Sequence, residues 1–340
     1  MAPVRVAVIM GGRSSEHDIS LASARSVVDA LDPEHYDVRA IEIGQDGRWQ
    51  LEPAAEQGQI GEGGEMLPVP ADGSPSPFEG VDVVFPVLHG PFGEDGTVQG
   101  FLELAGVAYV GAGVTASALC MDKDLFKAVM RDKGVPVVDS VTVLDRHRDR
   151  VENPFGFPVV VKPARLGSSV GISIVKEPQQ LGPAVDLALE HDEKILLEEF
   201  VGGVEVECSV LGNEEPIASI PGEIVPLSSD WYNFSAKYDE GGMELVVPPR
   251  LDERTIARVQ ELAVAAFVAS DCEGMARVDF FVRAADGEVV VNELNTIPGF
   301  TRTSFYARLF EASGISYAEL LDRLVELALE RHERRQRLEY

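Results

Sequence analysis

Two β-strand patterns near the carboxyl end of the chain carry polar residues at regular spacing. GMARVDFFV contains Arg277 and Asp279, and VVVNELN contains Glu293 and Asn295. Residues two apart in a strand share a face, and a short turn joins the two strands. A hairpin centred on residue 286 therefore places Asp279 opposite Glu293. The same register places Arg277 opposite Asn295, with all four side chains on one side of the sheet.

Paired carboxylates on one face need a positive partner. At about 4 Å they repel by roughly 4 kcal/mol at an effective dielectric constant of about 20. Mg²⁺ would offset this repulsion, because hard cations prefer carboxylate and amide oxygens and are often shared with phosphates. The pattern therefore predicts a metal site at Asp279, Glu293 and Asn295. The alternative is an ion pair in which Arg277 alone neutralises the acids on a solvated face.

A glycine- and serine-rich turn follows another apolar strand. In KPARLGSSVGISIV, Lys162 ends the strand and Ser168 lies in the turn. Glycine lets backbone N–H groups approach phosphate oxygens, and serine adds donors. Together with Lys123 this predicts a phosphate site, although such a turn alone is usually just a turn. Walker A chemistry is excluded because GxxxxGK[ST] is absent. Lys127 and Lys133, on the same helix as Lys123, are expected to be solvated.

Four other segments offer polar groups with less specific patterns. In KILLEEFVGGVEVE, Glu198 and Glu205 suit an adenine amine and ribose hydroxyls, or are ordinary strand-end charges. Glu16 and His89 each follow a buried strand, where ligands gather in parallel sheets, although each alone would more often be a capping or packing residue. The long segment 228–242 is typical of a lid.

The elements around these residues predict a mixed architecture. The amino-terminal part has the strand–helix–strand order of an open parallel α/β sheet, and the rest is α+β. The expected parts are 1–119, 120–207 and 208–340, the last with a lid loop at 226–243.

Composition excludes several classes of protein. The net charge of −28 argues against nucleic acid and anionic membranes as partners. No apolar window is long enough to span a membrane, and no leader pattern is present, so we expect a cytoplasmic protein. Cys120, Cys208 and Cys272 are widely spaced, which predicts buried free thiols and no disulfide framework.

Taken together, these motifs resemble the D-alanine–D-alanine ligase family of the ATP-grasp superfamily over nearly the whole chain. The matching strings, in the family's order, are GGRSSEHDIS, HGPFGEDGTVQG, MDKDLFK, KPARLGSSVG, LLEEFVGGVEVE, SAKYDE, ARVDF and NELNTIPGFTRTS. The resemblance implies an ATP-grasp fold with an amino-terminal open parallel α/β domain. It implies ATP-dependent joining of two D-alanines through a D-alanyl phosphate, for peptidoglycan precursors. It also implies two Mg²⁺ or Mn²⁺ ions and a homodimer.

The resemblance also implies the residues that bind ATP and metal. Those at the phosphates are Lys123 and Lys162, with Lys237 beside the transferred group. Those at adenine and ribose are Glu198, Glu205 and the backbone of Glu199 and Phe200. Those on magnesium are Asp279, Glu293 and Asn295. Ala164, Leu166 and Glu199 depart from residues common in the family, and we expect all three departures to be tolerated.

For the amino-acid substrates, the resemblance implies that Glu16, assisted by His89, holds the ammonium of the first D-alanine. Ser168 and Tyr238 would link to Glu16 by hydrogen bonds and close the loop over the site.

Catalytic roles follow from the same resemblance. Arg277 and the Gly299 backbone would stabilise an oxyanion, and Ser304 would hold the second substrate's carboxylate, in keeping with its place at a helix start.

Two alternatives to the dipeptide ligase are open. One is a D-alanine–D-lactate ligase, against which the resemblance sets the Lys237–Tyr238 pair. The other is a non-catalytic ATP-binding module, against which the full set of lysine, metal and oxyanion residues argues. A nicotinamide dehydrogenase is excluded because the first turn lacks GxGxxG. The residues themselves carry no information on D against L stereochemistry.

Overall fold

Three β-sheets organise the protein in the computed structural model, which describes residues 2–51, 78–226 and 242–339. The strands of the first sheet are β1 (Val4–Gly11), β2 (Tyr36–Ile43), β3 (Trp49–Leu51), β4 (Val83–Pro86) and β5 (Ala108–Tyr109). Their order is β3-β2-β1-β4-β5, and all pairs are parallel except β2 with β3. This is the predicted open α/β sheet, so the loops after β1 and β4 leave from the same edge.

Three helices accompany the first sheet, namely α1 (His17–Ala30), α2 (Thr97–Ala105) and α3 (Val114–Met121). Alternate residues of β1 enter opposite cores because successive strand residues face opposite sides. Val6 and Val8 pack in the core that contains the carboxyl-terminal helices, whereas Ala7 and Ile9 pack with residues of α2.

The second sheet follows helix α4 (Lys123–Asp132). Its elements are β6 (Ser140–Leu144), β7 (Val159–Pro163), β8 (Ser173–Val175), α5 (Leu181–Leu189) and β9 (Lys194–Glu199), with 3₁₀ turns at Asp145–Arg150 and Pro178–Gln180. The strands are antiparallel in the order β6-β9-β7-β8. Asp122 caps α4, since its side chain accepts from the N–H of Leu125 at 3.2 Å.

The third sheet is antiparallel and supplies the acidic strands. Its strands are β10 (Gly203–Gly212), β11 (Ile217–Ala218), β12 (Gly222–Pro226), β13 (Met243–Val246), β14 (Gly274–Arg283) and β15 (Val289–Asn295). The order is β13-β12-β10-β14-β15, with β11 beside β10, and α6 (Glu253–Ala269) packs against β10, β14 and β15. The division at 119 and 207 stays a prediction; β10 crosses the second boundary and belongs wholly to the third sheet.

Two carboxyl-terminal helices connect the third sheet to the first. They are α7 (Phe305–Ala312) and α8 (Tyr317–Gln336). The Phe300 ring packs against Phe85 of β4 and against Tyr306 and Tyr317, and the Tyr317 hydroxyl donates to the Phe300 carbonyl at 2.8 Å. Because this core is buried, it holds the loop that follows β15 against the loops at the edge of the first sheet.

Further expectations concern thiols and membranes. The three cysteines are free and buried, as predicted. Within the described ranges, no helix combines the length and apolar character needed to cross a membrane.

Candidate functional site

The β14–β15 hairpin has the register predicted from its sequence. Asp279 lies opposite Glu293, and Arg277 lies opposite Asn295. One step further along, Phe280 lies opposite Val291, so Asn292 is an extra residue in a β-bulge. The four polar groups therefore occupy one side of the sheet, and the bulge adds an amide next to Glu293.

Arg277 lies in a buried acidic environment. Its guanidinium donates two hydrogen bonds to Asp279, both 2.7 Å long, and its Nε lies 3.0 Å from Glu207 Oε2. Glu207 lies opposite Asp279 on β10, so Glu207, Asp279 and Glu293 form a row across three strands. Arg277 does form an ion pair with an acid, as the alternative to a metal site expects. The pair lies on a buried face, however, and not on a solvated one.

Sequence reasoning missed Glu207 as part of this group. The signal was present, because the alternation in GVEVE puts Glu205 and Glu207 on the same face of one strand. Glu207 lies beside Asp279 because β10 pairs with β14. The sequence around either strand does not specify that pairing.

The acidic row has the donor chemistry of a divalent-cation site. Asp279 and Glu293 offer carboxylate oxygens, and Asn295, whose Nδ2 lies 3.1 Å from Asp279, offers an amide. No group of three or more His, Cys, Asp or Glu residues surrounds a common point in the described part of the chain. Two carboxylates and an amide suit Mg²⁺, which commonly takes one or two carboxylates and completes its shell with water and phosphate oxygens.

A cavity of about 380 Å³ lies between the second and third sheets. The predicted residues that line it are Lys123, Lys162, Ser168, Glu198, Glu199, Phe200, Glu205, Asp279 and Glu293. Apolar side chains of Val160, Ile172, Ile174, Val201 and Phe281 form much of the remaining wall. Apolar walls suit a planar base, and the lysines and acids suit the phosphates and cation of a nucleotide.

The two predicted phosphate lysines are buried at this cavity. Lys123 Nζ donates to the Leu166 carbonyl at 2.8 Å and lies 3.3 Å from Glu293 Oε2. Lys162 Nζ lies 2.8 Å from Glu198 Oε2. Each ammonium is thus held beside a carboxylate at the cavity wall, where it can contact an anionic ligand.

Lys127 was expected to be solvated, and this expectation is wrong. Its side chain is 0% exposed and contacts Glu198, whereas Lys133, which directly follows the end of the same helix, is exposed as expected. The difference follows from helix geometry, because Lys127 lies four residues after Lys123 and shares its inward face.

The predicted adenine-binding residues meet at the end of β9. The Glu198 carboxylate forms ion pairs with two lysines. Burial raises the pKa of Glu198, the two lysines lower it, and the pKa is lowered overall. Glu199 forms an ion pair with Arg283, which lowers the pKa of Glu199. The backbone N–H of Glu199 donates to the Asp139 carbonyl at 3.0 Å, so that N–H is already hydrogen-bonded within the protein.

Glu16 lies in the loop after β1 and reaches the cavity wall through Ser168. The Ser168 hydroxyl donates a hydrogen bond to its carboxylate, as the resemblance implied. Ser168 and its neighbour Ser169 have positive φ angles of 55° and 59°, which are costly for residues with a Cβ atom. Glycine suits position 90 beside this contact, because its φ is 72° and a Cβ there would lie 2.5 Å from Glu16 Oε2, which would have to shift.

His89 is close to Glu16, but both of its ring nitrogens are hydrogen-bonded to other protein groups. Its Nδ1 lies 3.0 Å from the Ile297 carbonyl and must donate, so its Nε2 accepts from the Ser23 hydroxyl at 3.2 Å. Burial lowers the pKa of His89, opposed in part by Glu16, which favours this neutral ring. The ring therefore positions the loop after β4 against the loop after β15.

Glu94 joins the same two loops. Its carboxylate accepts from the N–H of Gly90 at 2.7 Å and from the N–H of Ile297 at 3.1 Å. Burial, and then the nearby Glu16, raise the pKa of Glu94 to about 8. Sequence reasoning assigned no binding role here, and the local pattern gives no sign of the contact with Ile297.

Gly299 and Ser304 lie next to each other in the loop that precedes α7. A Cβ on Gly299 would lie 3.4 Å from Ser304 Oγ, and Ser304 Oγ accepts from the N–H of Thr301 at 3.0 Å. The structure thus brings the predicted oxyanion and carboxylate groups into one loop. Lys237 and Tyr238 lie outside the described residues.

Fold and site together define an ATP-grasp enzyme, with a nucleotide-sized cavity between two antiparallel sheets and a separate parallel α/β sheet at its edge. The family models described as D-ala D-ala ligase N-terminus and C-terminus match residues 5–112 and 129–326. The chain belongs to the D-alanine–D-alanine ligase family, and with it to the ADP-forming ligases that use ATP and a divalent metal.

Individual relatives agree with this assignment over nearly their full length. D-alanine–D-alanine ligase A of Mesorhizobium japonicum is 46% identical, over 97% of this chain and 99% of the relative. The D-alanine–D-alanine ligase structure from Coxiella burnetii gives a TM-score of 0.82 at 37% identity, over 99% of this chain and 97% of the other. The structure of VanG D-Ala:D-Ser ligase from Enterococcus faecalis also gives 0.82, at 35% identity, over 96% and 99%.

Proposed function

We propose that this chain joins two molecules of D-alanine with hydrolysis of ATP to ADP and phosphate, for peptidoglycan precursors. One observation carries the proposal: a single cavity combines two buried lysines with Asp279 and Glu293, and Ser168 in its wall contacts Glu16 in the loop after β1. The cavity accounts for a nucleotide, and the Glu16 edge accounts for an ammonium-bearing substrate beside its phosphates.

In the reaction, the carboxylate of the first D-alanine attacks the γ-phosphorus of ATP, which releases ADP and leaves an acyl phosphate. The deprotonated amine of the second D-alanine then attacks the acyl carbon, and the tetrahedral intermediate expels phosphate. Lys123 and Lys162 neutralise the phosphates, since phosphoryl transfer depends mainly on positioning and charge. Asp279, Glu293 and Asn295 would hold a divalent cation, which would supply further neutralisation of phosphate charge.

Arg277 and the Gly299 N–H stabilise the oxyanion of the tetrahedral intermediate. The carboxylates of Asp279 and Glu207 fix the Arg277 guanidinium in advance, so little reorganisation is needed when negative charge develops. Glu16 holds the ammonium of the first substrate, and His89 assists through the loop that it fixes. Ser304 binds the second carboxylate, and Lys237 and Tyr238 act from the lid. Two Mg²⁺ or Mn²⁺ ions, a homodimer and a cytoplasmic location complete the proposal.

The test is ADP formation by the purified protein with ATP, Mg²⁺ and D-alanine, with L-alanine as the control. D-Alanine should raise ADP release well above the rate without an amino acid, and the dipeptide should appear in equal amount. An unchanged rate with D-alanine would refute the proposal and would favour the non-catalytic ATP-binding module.

The second substrate needs its own comparison, because one structural relative is named a D-Ala:D-Ser ligase. The products of D-alanine alone should be compared with those formed when D-serine or D-lactate is added at equal concentration. We expect the D-alanine dipeptide to dominate. Predominant formation of a D-alanine–D-lactate ester would instead identify a depsipeptide ligase.

A further inference from the structure

We infer that Lys127 is a positioning residue for ATP, which fixes the Glu198 carboxylate and, through it, the ammonium of Lys162. The inference rests on the proposed function, in which Lys162 binds ATP phosphates. Lys127 itself does not line the cavity, so it has to act through residues that do.

One carboxylate is shared between two lysines. Lys127 Nζ lies 2.5 Å from Glu198 Oε1, and Lys162 Nζ lies 2.8 Å from Glu198 Oε2. Lys127 is 0% exposed and Glu198 is 3% exposed. Lys162 has a second protein partner, Asn292, whose Oδ1 accepts at 3.2 Å. Glu198 thus bridges a lysine at the cavity wall to a lysine behind it.

Burying the ammonium group of Lys127 costs free energy that an uncharged side chain in the same place would not cost. Burial lowers the pKa of Lys127 to about 8, although Glu198 opposes the shift. Replacing a whole buried ion pair by apolar residues is often neutral or stabilising, so such a pair is weak evidence for a role in stability. The charge is therefore better explained by its effect on Glu198 than by packing.

The effect of Lys127 on Glu198 determines how freely the Lys162 ammonium can contact phosphate. With Lys127 present, Glu198 keeps a positive partner when the Lys162 ammonium turns to an incoming phosphate. Without Lys127, Glu198 would be a buried acid with Lys162 as its remaining lysine partner, and it would hold that ammonium more strongly. Phosphate would then compete with Glu198 for the same cation.

Lys127 also reaches the wall at the base end of the cavity. Its Nζ lies 3.2 Å from the carbonyl oxygen of Val138, and Val138 lines the cavity. One ammonium group thus holds both a backbone carbonyl and an acid that border the nucleotide.

The first experiment compares Lys127→Met with Lys133→Met, a change at an exposed lysine directly after the end of the same helix. We expect Lys127→Met to raise the KM for ATP and the Kd for Mg-ADP about tenfold, as loss of one charged contact would. The turnover number at saturating ATP and the KM for D-alanine should change less than about twofold. Lys133→Met should leave all four unchanged. An unaltered KM for ATP in Lys127→Met would overturn the inference.

A second comparison removes the acid, which also covers the case in which Lys127→Met does not fold. In the Glu198→Gln background, Lys127→Met should change the Kd for Mg-ADP less than about twofold, because no charge is left to balance. A tenfold loss in that background as well would show that Lys127 acts without Glu198, and the inference would be wrong.

These measurements separate the two proposals. Absence of D-alanine-dependent ADP release in the unmodified protein would refute the proposed function. Calorimetry with Mg-ADP would still decide the role of Lys127.

Discussion

The Ser168 hydroxyl donates a hydrogen bond to the Glu16 carboxylate, although 152 residues separate the two in sequence. Ser168 lies in the turn between β7 and β8, and Glu16 precedes α1. A hydrogen bond to a charged group contributes about 1.5–3 kcal/mol. The contact therefore holds the glycine- and serine-rich turn of the second sheet over the edge of the first.

Replacing Ser168 by Ala should reduce kcat/KM for D-alanine by about tenfold, because the turn and Glu16 would no longer be held together. Steady-state assays at saturating ATP measure this. In a Glu16→Gln background the same replacement should have a smaller effect, since the charged acceptor is gone. Equal losses of kcat/KM in both backgrounds would mean that the hydrogen bond between Ser168 and Glu16 does not contribute to activity.

Replacing Arg277 by Ala should lower turnover far more than ATP affinity, by about 100-fold against less than about threefold, because oxyanion stabilisation acts on the transition state. Single-turnover assays and Mg-ADP calorimetry give the two quantities. Since the change also leaves buried acids without their cation, the melting temperature should fall. Weaker nucleotide binding with unchanged turnover would contradict the oxyanion role.

Replacing Glu207 by Gln should lower turnover by about threefold to tenfold and leave Mg-ADP affinity unchanged, because Arg277 loses one of two carboxylates that hold it. The matched control is Glu223→Gln, a buried acid of the same sheet that pairs with the exposed Arg250. That control should retain full turnover. A similar loss in both variants would indicate a general effect on the sheet.

Replacing Glu94 by Gln should flatten the dependence of stability on pH. The pKa of Glu94 is raised from 4.5 to about 8, so between these values the folded protein holds a proton that the unfolded chain releases. This contribution of Glu94 to stability falls as pH rises through that window.

Melting temperatures at about pH 5 and about pH 8 measure the effect, since this window lies between the two pKa values of Glu94. The unmodified protein should lose more stability between them than Glu94→Gln. Glu79→Gln, at an exposed acid, is the control and should behave like the unmodified protein. Identical pH profiles for all three proteins would rule out a titration of Glu94 in this range.

Local patterns predicted the open parallel sheet from its strand–helix–strand order. They also predicted the face shared by Asp279 and Glu293, because strand alternation and a short turn fix a register. The contact of Ser168 with Glu16 came from resemblance alone, since nothing near either residue specifies the other. Lys127 was predicted to be solvated, and this was wrong: its four-residue spacing from Lys123 places it on the inward face, but its partner Glu198 lies in a distant strand. Glu207 was missed for the same reason: its partner lies on β14.

The bulge at Asn292 has a consequence for how this hairpin tolerates changes in length. In a regular strand, neighbouring residues face opposite sides, yet Asn292 contacts Lys162 while Glu293 contacts Lys123, both at the same cavity. Deleting Asn292 would restore an even ladder with Phe280 still opposite Val291 and Asp279 still opposite Glu293. Such a shortened chain would keep its acidic pair, but Lys162 would lose its amide acceptor and depend more heavily on Glu198.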